Sequence, residues 1–132
     1  MKKLFLPLVA IALLAGCVTS PVQVAQTTEQ KAYALYGTFV IVEEQAVKLT
    51  APSSTLTPAV KAPIINAVQK AQPIVDSMLA ATQKAEAAKA DFDAKKIDTP
   101  AFQIVVDNLG NWVTQAEPLV LTLVNAVKGA QK

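Results

Sequence analysis

The 132-residue chain contains no histidine and no arginine, and its single cysteine is Cys17. Each absence removes a class of chemistry. Without histidine there is no base for a Ser-His-Asp or Cys-His site and no imidazole ligand for zinc. Without arginine the planar fork that grips phosphates and carboxylates in bidentate fashion is missing. One cysteine cannot close a disulfide within the chain, so the fold is held by packing alone or by packing against a partner, whereas many small secreted domains rely on disulfides. Aromatic residues make up only 5% of the chain, so a core built from it is short of large side chains.

The remaining polar chemistry is thin. Glycoside hydrolysis needs only a carboxylate pair, but Asp91 and Asp93 lie two apart in a helical segment and diverge, as do the adjacent Glu43 and Glu44. Solvated helix charges account for all four. Ser-Lys catalysis has no Ser-x-x-Lys spacing at Ser20, Ser53, Ser54 or Ser77. Ser77 stands beside Met78 in an apolar-faced helix, where a hydroxyl can bond its own backbone. Metal binding would rest on carboxylates alone, and "DFD" (Asp91–Asp93) lacks the glycine-turned loop of a calcium site. The expectation is a protein with no catalytic residue, no metal and no cofactor, hence not an enzyme.

What is present begins with Met1-Lys2-Lys3 and the apolar run "LFLPLVAIALLA". That run is shorter than the roughly 20 residues a membrane-spanning helix needs. A charged start, a short apolar stretch and small residues at its end describe a secretory signal peptide. It closes on Leu14-Ala15-Gly16-Cys17, which resembles the lipobox of bacterial lipoproteins. The resemblance covers the first 17 residues. It implies that the sulfur of Cys17 carries a diacylglyceryl group, that a dedicated peptidase cuts between Gly16 and Cys17, and that the new amine is acylated. Each buried methylene adds about 0.8 kcal/mol of membrane affinity, and stable anchoring takes about two chains, a condition that a multiply acylated Cys17 meets. In the sorting rule that accompanies the resemblance, Val18, standing where aspartate would retain the protein in the inner membrane, favours the periplasmic face of the outer membrane.

Cleavage changes the charge balance. Lys2 and Lys3 leave with the signal, so ten lysines face ten acidic residues in Cys17–Lys132. The net charge of +2 is a property of the leader, and no clustered basic footprint for nucleic acid remains. The expected division is a signal peptide over 1–16, a lipidated cysteine and tether over 17–26, and a helical domain over 27–132. An extended nine-residue tether reaches at most about 30 Å.

Within the domain, Thr27 and Gln30 have the spacing of a capping box, and Leu35, Phe39, Val42, Ala46 and Leu49 step along one helical face. The local run "YGTFVIV" (Tyr36–Val42) has β-propensity, but its flanks favour helix. "TAPSSTLTP" (Thr50–Pro58) reads as a loop. Thr57-Pro58 is a helix start, and Val60, Ile64, Ala67, Ala71, Ile74, Met78, Ala81, Ala85, Ala88 and Phe92 extend a single face to about residue 94. Pro63 and Pro73 fall off that face and should bend or break the helix. Thr99-Pro100 repeats the start signal, followed by the face Phe102, Val105, Leu109, Val113, Ala116, Val120, Leu123 and Val127. Pro118 bends this third helix, "NLGNW" (Asn108–Trp112) could interrupt it, and Gly129 stands where a C-cap would. "AQPIVDSMLAATQKA" (Ala71–Ala85) and "AEPLVLTLVNAVKGA" (Ala116–Ala130) are weakly similar. Convergent composition and a duplicated helix both produce such a pair.

The pattern predicts an all-α protein, a small antiparallel bundle of three principal, proline-kinked helices. Phe39, Phe92 and Phe102 are expected in its core. Tyr33, Tyr36 and Trp112 fit either a partner surface, where Tyr and Trp are enriched, or gaps between alanine-rich helices. Outside the lipobox the composition is similar to small helical lipoproteins of Gram-negative bacteria and their phages. The expected role is a lipid-anchored envelope protein that binds or positions another periplasmic or outer-membrane component, with self-association through its long apolar faces as an option. The alternative is a phage or prophage lipoprotein acting in superinfection exclusion or lysis.

Overall fold

A computed structural model describes residues 21–132, with side chains from Val24 onward. The signal segment, Gly16 and Cys17 lie outside the described residues. Three helices make up the described chain: α1 (Pro21–Thr50), α2 (Pro58–Asp93) and α3 (Thr99–Ala130). The connections, residues 51–57 and 94–98, are short, so consecutive helices run antiparallel and α1 lies parallel to α3. The all-α bundle read from the sequence is the fold observed.

The predicted faces are the buried faces, with small shifts. On α3 the buried set is Phe102, Val106, Leu109, Val113, Ala116, Val120, Leu123 and Val127, so Val106 takes the place expected of Val105. On α2 it runs Ile64, Ala67, Ala71, Val75, Met78, Ala81, Thr82, Ala85 and Ala88. Val75 replaces Ile74, and Val60, in the first turn, is exposed. These one-residue shifts follow from the helix itself. The positions on either side, Phe102 and Leu109 or Ala71 and Met78, keep their predicted places, and a helix face stepping by three or four accepts either neighbour between them. Along α1 the buried residues are Ala25, Ala32, Phe39, Val42 and Ala46, while Leu35 and Leu49 are half-buried.

Helix ends depart from expectation in three places. Helix α1 begins at Pro21, six residues before Thr27, so the stretch read as tether is helical from Pro21 onward. Burial of Ala25 against Ala88, Phe102 and Val106 rewards the extension. Thr27 is therefore interior, and the Thr27–Gln30 capping box does not form. Helix α2 starts at Pro58 as expected, although the Thr57 side chain makes no capping bond. The cap of α3 is Asp98, one residue before Thr99, and its Oδ1 accepts from the Ala101 N–H at 2.9 Å. Carboxylates suit this position because they also complement the positive end of the helix dipole. Gly129 lies inside α3, and the cap is Gln131.

The prolines do not break their helices. Pro63, Pro73 and Pro118 stand inside continuous α2 and α3, on exposed positions. Each removes a donor to the carbonyl four residues earlier. Those carbonyls belong to Ala59, Gln69 and Thr114, all exposed residues where water can substitute. Gly110 likewise leaves α3 intact. The two similar segments match in contact as well as in sequence: Ala71, Val75 and Met78 occupy the same core pattern as Ala116, Val120 and Leu123. Ser77 donates to the Pro73 carbonyl at 2.9 Å as Thr122 does to that of Pro118 at 2.8 Å.

Packing is uneven. The largest fully buried side chains among the described residues, including Phe102, Ile64, Met78, Leu109 and Leu123, all belong to α2 or α3, and those two helices share the most extensive contact. Between Val24 and Phe39, the described side chains that α1 buries completely are Ala25 and Ala32. A methyl group contributes about 0.8 kcal/mol on burial, against roughly 1.5–3 for a large apolar side chain. The first half of α1 is therefore the most weakly held part of the bundle.

Candidate functional site

The sequence singled out Cys17, with Gly16 before it, and the aromatics Tyr33, Tyr36 and Trp112. Cys17 and Gly16 precede the described residues. The other three are placed, and they do not converge. Tyr33 is 44% exposed on α1, and its hydroxyl donates to Glu86 Oε1 of α2 at 2.5 Å. Tyr36, one turn further, is half-buried against the main core, as is Trp112 on α3. On α3, Glu117 faces α1, where it pairs with Lys31 at 3.1 Å. Trp112 comes five residues earlier, about 140° around the helix, so it points away from α1 and its tyrosines. Tyr36 and Trp112 are each partly buried against the core and partly open, and Tyr33 is the most exposed of the three. Phe39 and Phe102 are core residues as expected. Phe92 is half-buried and stacks on Phe102, with ring centroids 4.8 Å apart and planes at 13°, within the range of favourable aromatic pairs.

Other large apolar side chains are exposed, among them Val24 on α1 and Ile104, at 70%, and Leu121 on α3. Val40, Ile41 and Val47 on α1, with Val60 and Ile65 on α2, are each 39% exposed or more. All five lie toward the end of the bundle that carries the 51–57 loop, the end remote from Pro21. Val40 and Val47 are seven residues apart and so share a face, the α2-facing flank that also holds Tyr33. The signal was present in "YGTFVIV": a helical segment apolar on consecutive positions cannot bury all of them against one neighbour. Reading it as one stripe plus β-propensity missed the outer residues.

A second feature at the α1–α2 seam was also missed. Glu29 Oε1 is buried and has no hydrogen-bond partner. Its carboxyl titrates above the ordinary 4.5, first because burial penalises the charged form and then because Glu86 is near, with Lys89 opposing. The Tyr33 phenol is held above its ordinary 10.0, chiefly by its hydrogen bond to Glu86. Charges contributed by separate helices carry no periodic mark in a sequence, so nothing in the chain flags this group.

An open cleft of about 760 Å³ lies over the α2–α3 turn, lined by Phe92, Asp93, Lys95, Lys96, Ile97, Asp98 and Thr99. Its groups are occupied with making the turn: Asp98 caps α3, and Lys96 lies 4.0 Å from Asp91. Lys95, at φ 58°, is the left-handed residue that ends α2. No described cluster of three or more Cys, Asp or Glu side chains is arranged to hold a metal, and no described helix is long and apolar enough to cross a membrane. No protein-family model, curated protein or solved structure matches the chain.

Proposed function

We propose that the protein is a lipid-anchored, non-enzymatic component of the cell envelope, held at the periplasmic face of the outer membrane by acyl chains on Cys17, whose helical body binds or positions another envelope protein. The observation that carries this reading is Leu14-Ala15-Gly16-Cys17 after a lysine-led apolar run. Two further features support it. Helix α1 begins at Pro21, and the four residue steps from Cys17 reach at most about 14 Å, so an anchor on Cys17 would keep the bundle beside the membrane. The exposed apolar side chains Val40, Ile41, Val47 and Ile65 lie toward the opposite end, where a partner away from the bilayer has access.

The test is intact-mass measurement of the processed protein together with membrane fractionation. The expected result is an N-terminal Cys17 carrying a diacylglyceryl group and fatty acid, and loss of both the lipid and membrane association in Cys17→Ser. A Cys17→Ser protein that still pellets with membranes after a salt wash would refute the lipid anchor as the attachment.

A further inference from the structure

We propose that Glu29 and Glu86 form an acid-locked contact that holds the first half of α1 against α2 more firmly at mildly acidic than at neutral pH. The geometry supplies three parts. Glu29 places a carboxyl oxygen in the seam with no donor to satisfy it. Glu86, across the seam, is fixed by the hydroxyl of Tyr33, one turn beyond Glu29. Among the described side chains, the surrounding stretch of α1 has Ala25 and Ala32 fully buried, so little apolar packing competes with an electrostatic term.

A proton taken from solvent by Glu29 does two things. It removes the charge that burial disfavours, and it gives the orphaned oxygen an O–H to donate, with the Glu86 carboxylate as the neighbouring acceptor. The groups facing Glu29 are Glu86 and Lys89 from α2 and the Tyr33 phenol on its own helix. Lys89 favours the ionised form, but burial and Glu86 outweigh it. Helix α3 meets α1 through Ala25, packed with Phe102 and Val106, and through the Lys31–Glu117 pair on the other flank, and contributes no group that shifts Glu29 among the described residues.

The sign follows from linkage. A carboxyl raised in the folded state binds more protons folded than unfolded, so stability falls as pH rises. The penalty is absent below the ordinary 4.5, grows as pH climbs toward the raised folded value, and is complete above it. Carboxylates stabilised by salt bridges behave in the opposite way.

The experiment is a carboxyl ¹³C titration with amide hydrogen exchange on the purified full chain in detergent. In wild type, Glu29 should titrate above 4.5, and Glu86→Gln should bring it down. Exchange of α1 amides up to Tyr36, corrected for intrinsic rates, should accelerate relative to α2 as pH rises from about 4 to about 7. In Glu29→Gln this dependence should vanish, with α1 protected throughout. An unchanged pH dependence in Glu29→Gln, or a Glu29 midpoint unmoved by Glu86→Gln, overturns the proposal. So does loss of fold in Glu29→Gln, because a neutral isostere is expected to dock at least as well as the ionised side chain.

Discussion

Truncation of Phe39 bears directly on how α1 is attached. Phe39, 3% exposed, is the largest buried side chain of α1 among the described residues; the others are Ala25, Ala32, Val42 and Ala46. A buried Phe→Ala change costs about 3–5 kcal/mol, the transfer of the ring plus the cavity left behind. Domains of this size have total stabilities of about 5–15 kcal/mol, so Phe39→Ala removes a large fraction of the whole. With a urea dependence of about 2 kcal/mol per molar, the midpoint should fall by about 2 M. The loss should also be uneven. The largest buried side chains belong to α2 and α3, and α1 without Phe39 is held by Val42 and alanines, with Leu35, Tyr36 and Leu49 half-buried. Trp112, the only tryptophan, is packed against the core from α3. Its fluorescence therefore reports the α2–α3 pair, while far-ultraviolet circular dichroism weighs all three helices. In Phe39→Ala, helicity should begin to fall at lower urea than the fluorescence changes; in wild type the two transitions should coincide. A midpoint shift below about 0.5 M, or coincident transitions in the variant, would refute the claim that Phe39 is the main attachment of α1.

Two further substitutions test the turn and the interface. Lys95→Gly should stabilise the protein by about 0.5–1 kcal/mol, seen as a rise in Tm of a few degrees, because Lys95 sits at φ 58° where glycine avoids the Cβ clash. The bonds that close the turn, from Lys95 N–H to Phe92 O and from Lys96 N–H to Asp91 O, are backbone bonds and survive the change; an unchanged or lower Tm would count against strain at this position. Ala85→Leu should cost about 1–3 kcal/mol in urea unfolding by overpacking a fully buried site, while Ala87→Leu, at an exposed position of the same helix, should be close to neutral. Equal effects at the two sites would mean that the alanine face is not a close helix contact.

The faces of α2 and α3 were legible because their apolar residues recur with the period of a helix, and burial is the strongest force acting on that period. Val75 and Val106 escaped because the sequence offers two neighbouring aliphatic residues at each place, Ile74-Val75 and Val105-Val106. Only the angle at which the helices meet decides between them. The start of α1 was misplaced for a different reason. "VTSPVQVAQ" has the composition of a tether, and its helical conformation from Pro21 depends on Ala25 meeting Phe102, more than seventy residues away. Asp98 outcompeted Thr99 as the cap of α3 because both residue types suit the position and the geometry of the preceding turn chooses between them. The aromatic residues could not be sorted into surface and interior from sequence, since the same side chain serves both, and the Glu29–Glu86 contact joins residues whose proximity exists only in the bundle.

The uneven packing gives these features a common direction. From the 51–57 loop toward Pro21, the side chains that α1 buries pass from Ala46, Val42 and Phe39 to alanines alone. Local opening is easiest where few apolar contacts are lost, so the part of α1 nearest Cys17 in sequence is also the part that opens most readily. On the proposed anchoring, that segment joins the lipid to a body whose stable portion is the α2–α3 pair. Disengaging it would lengthen the link: α1 from Pro21 to Tyr36, unravelled, would add several tens of ångströms at about 3.3 Å per residue. The same segment carries Glu29 and Tyr33, the α1 side of the acid-locked contact. Mild acid would then favour a short link with the bundle held near the membrane, and neutral pH would favour a longer reach for the apolar end that carries Val40, Val47 and Ile65. The Phe39→Ala variant loosens α1 by a different route and should show a longer reach than wild type at either pH, because the same contact then acts on a helix with less packing to hold it.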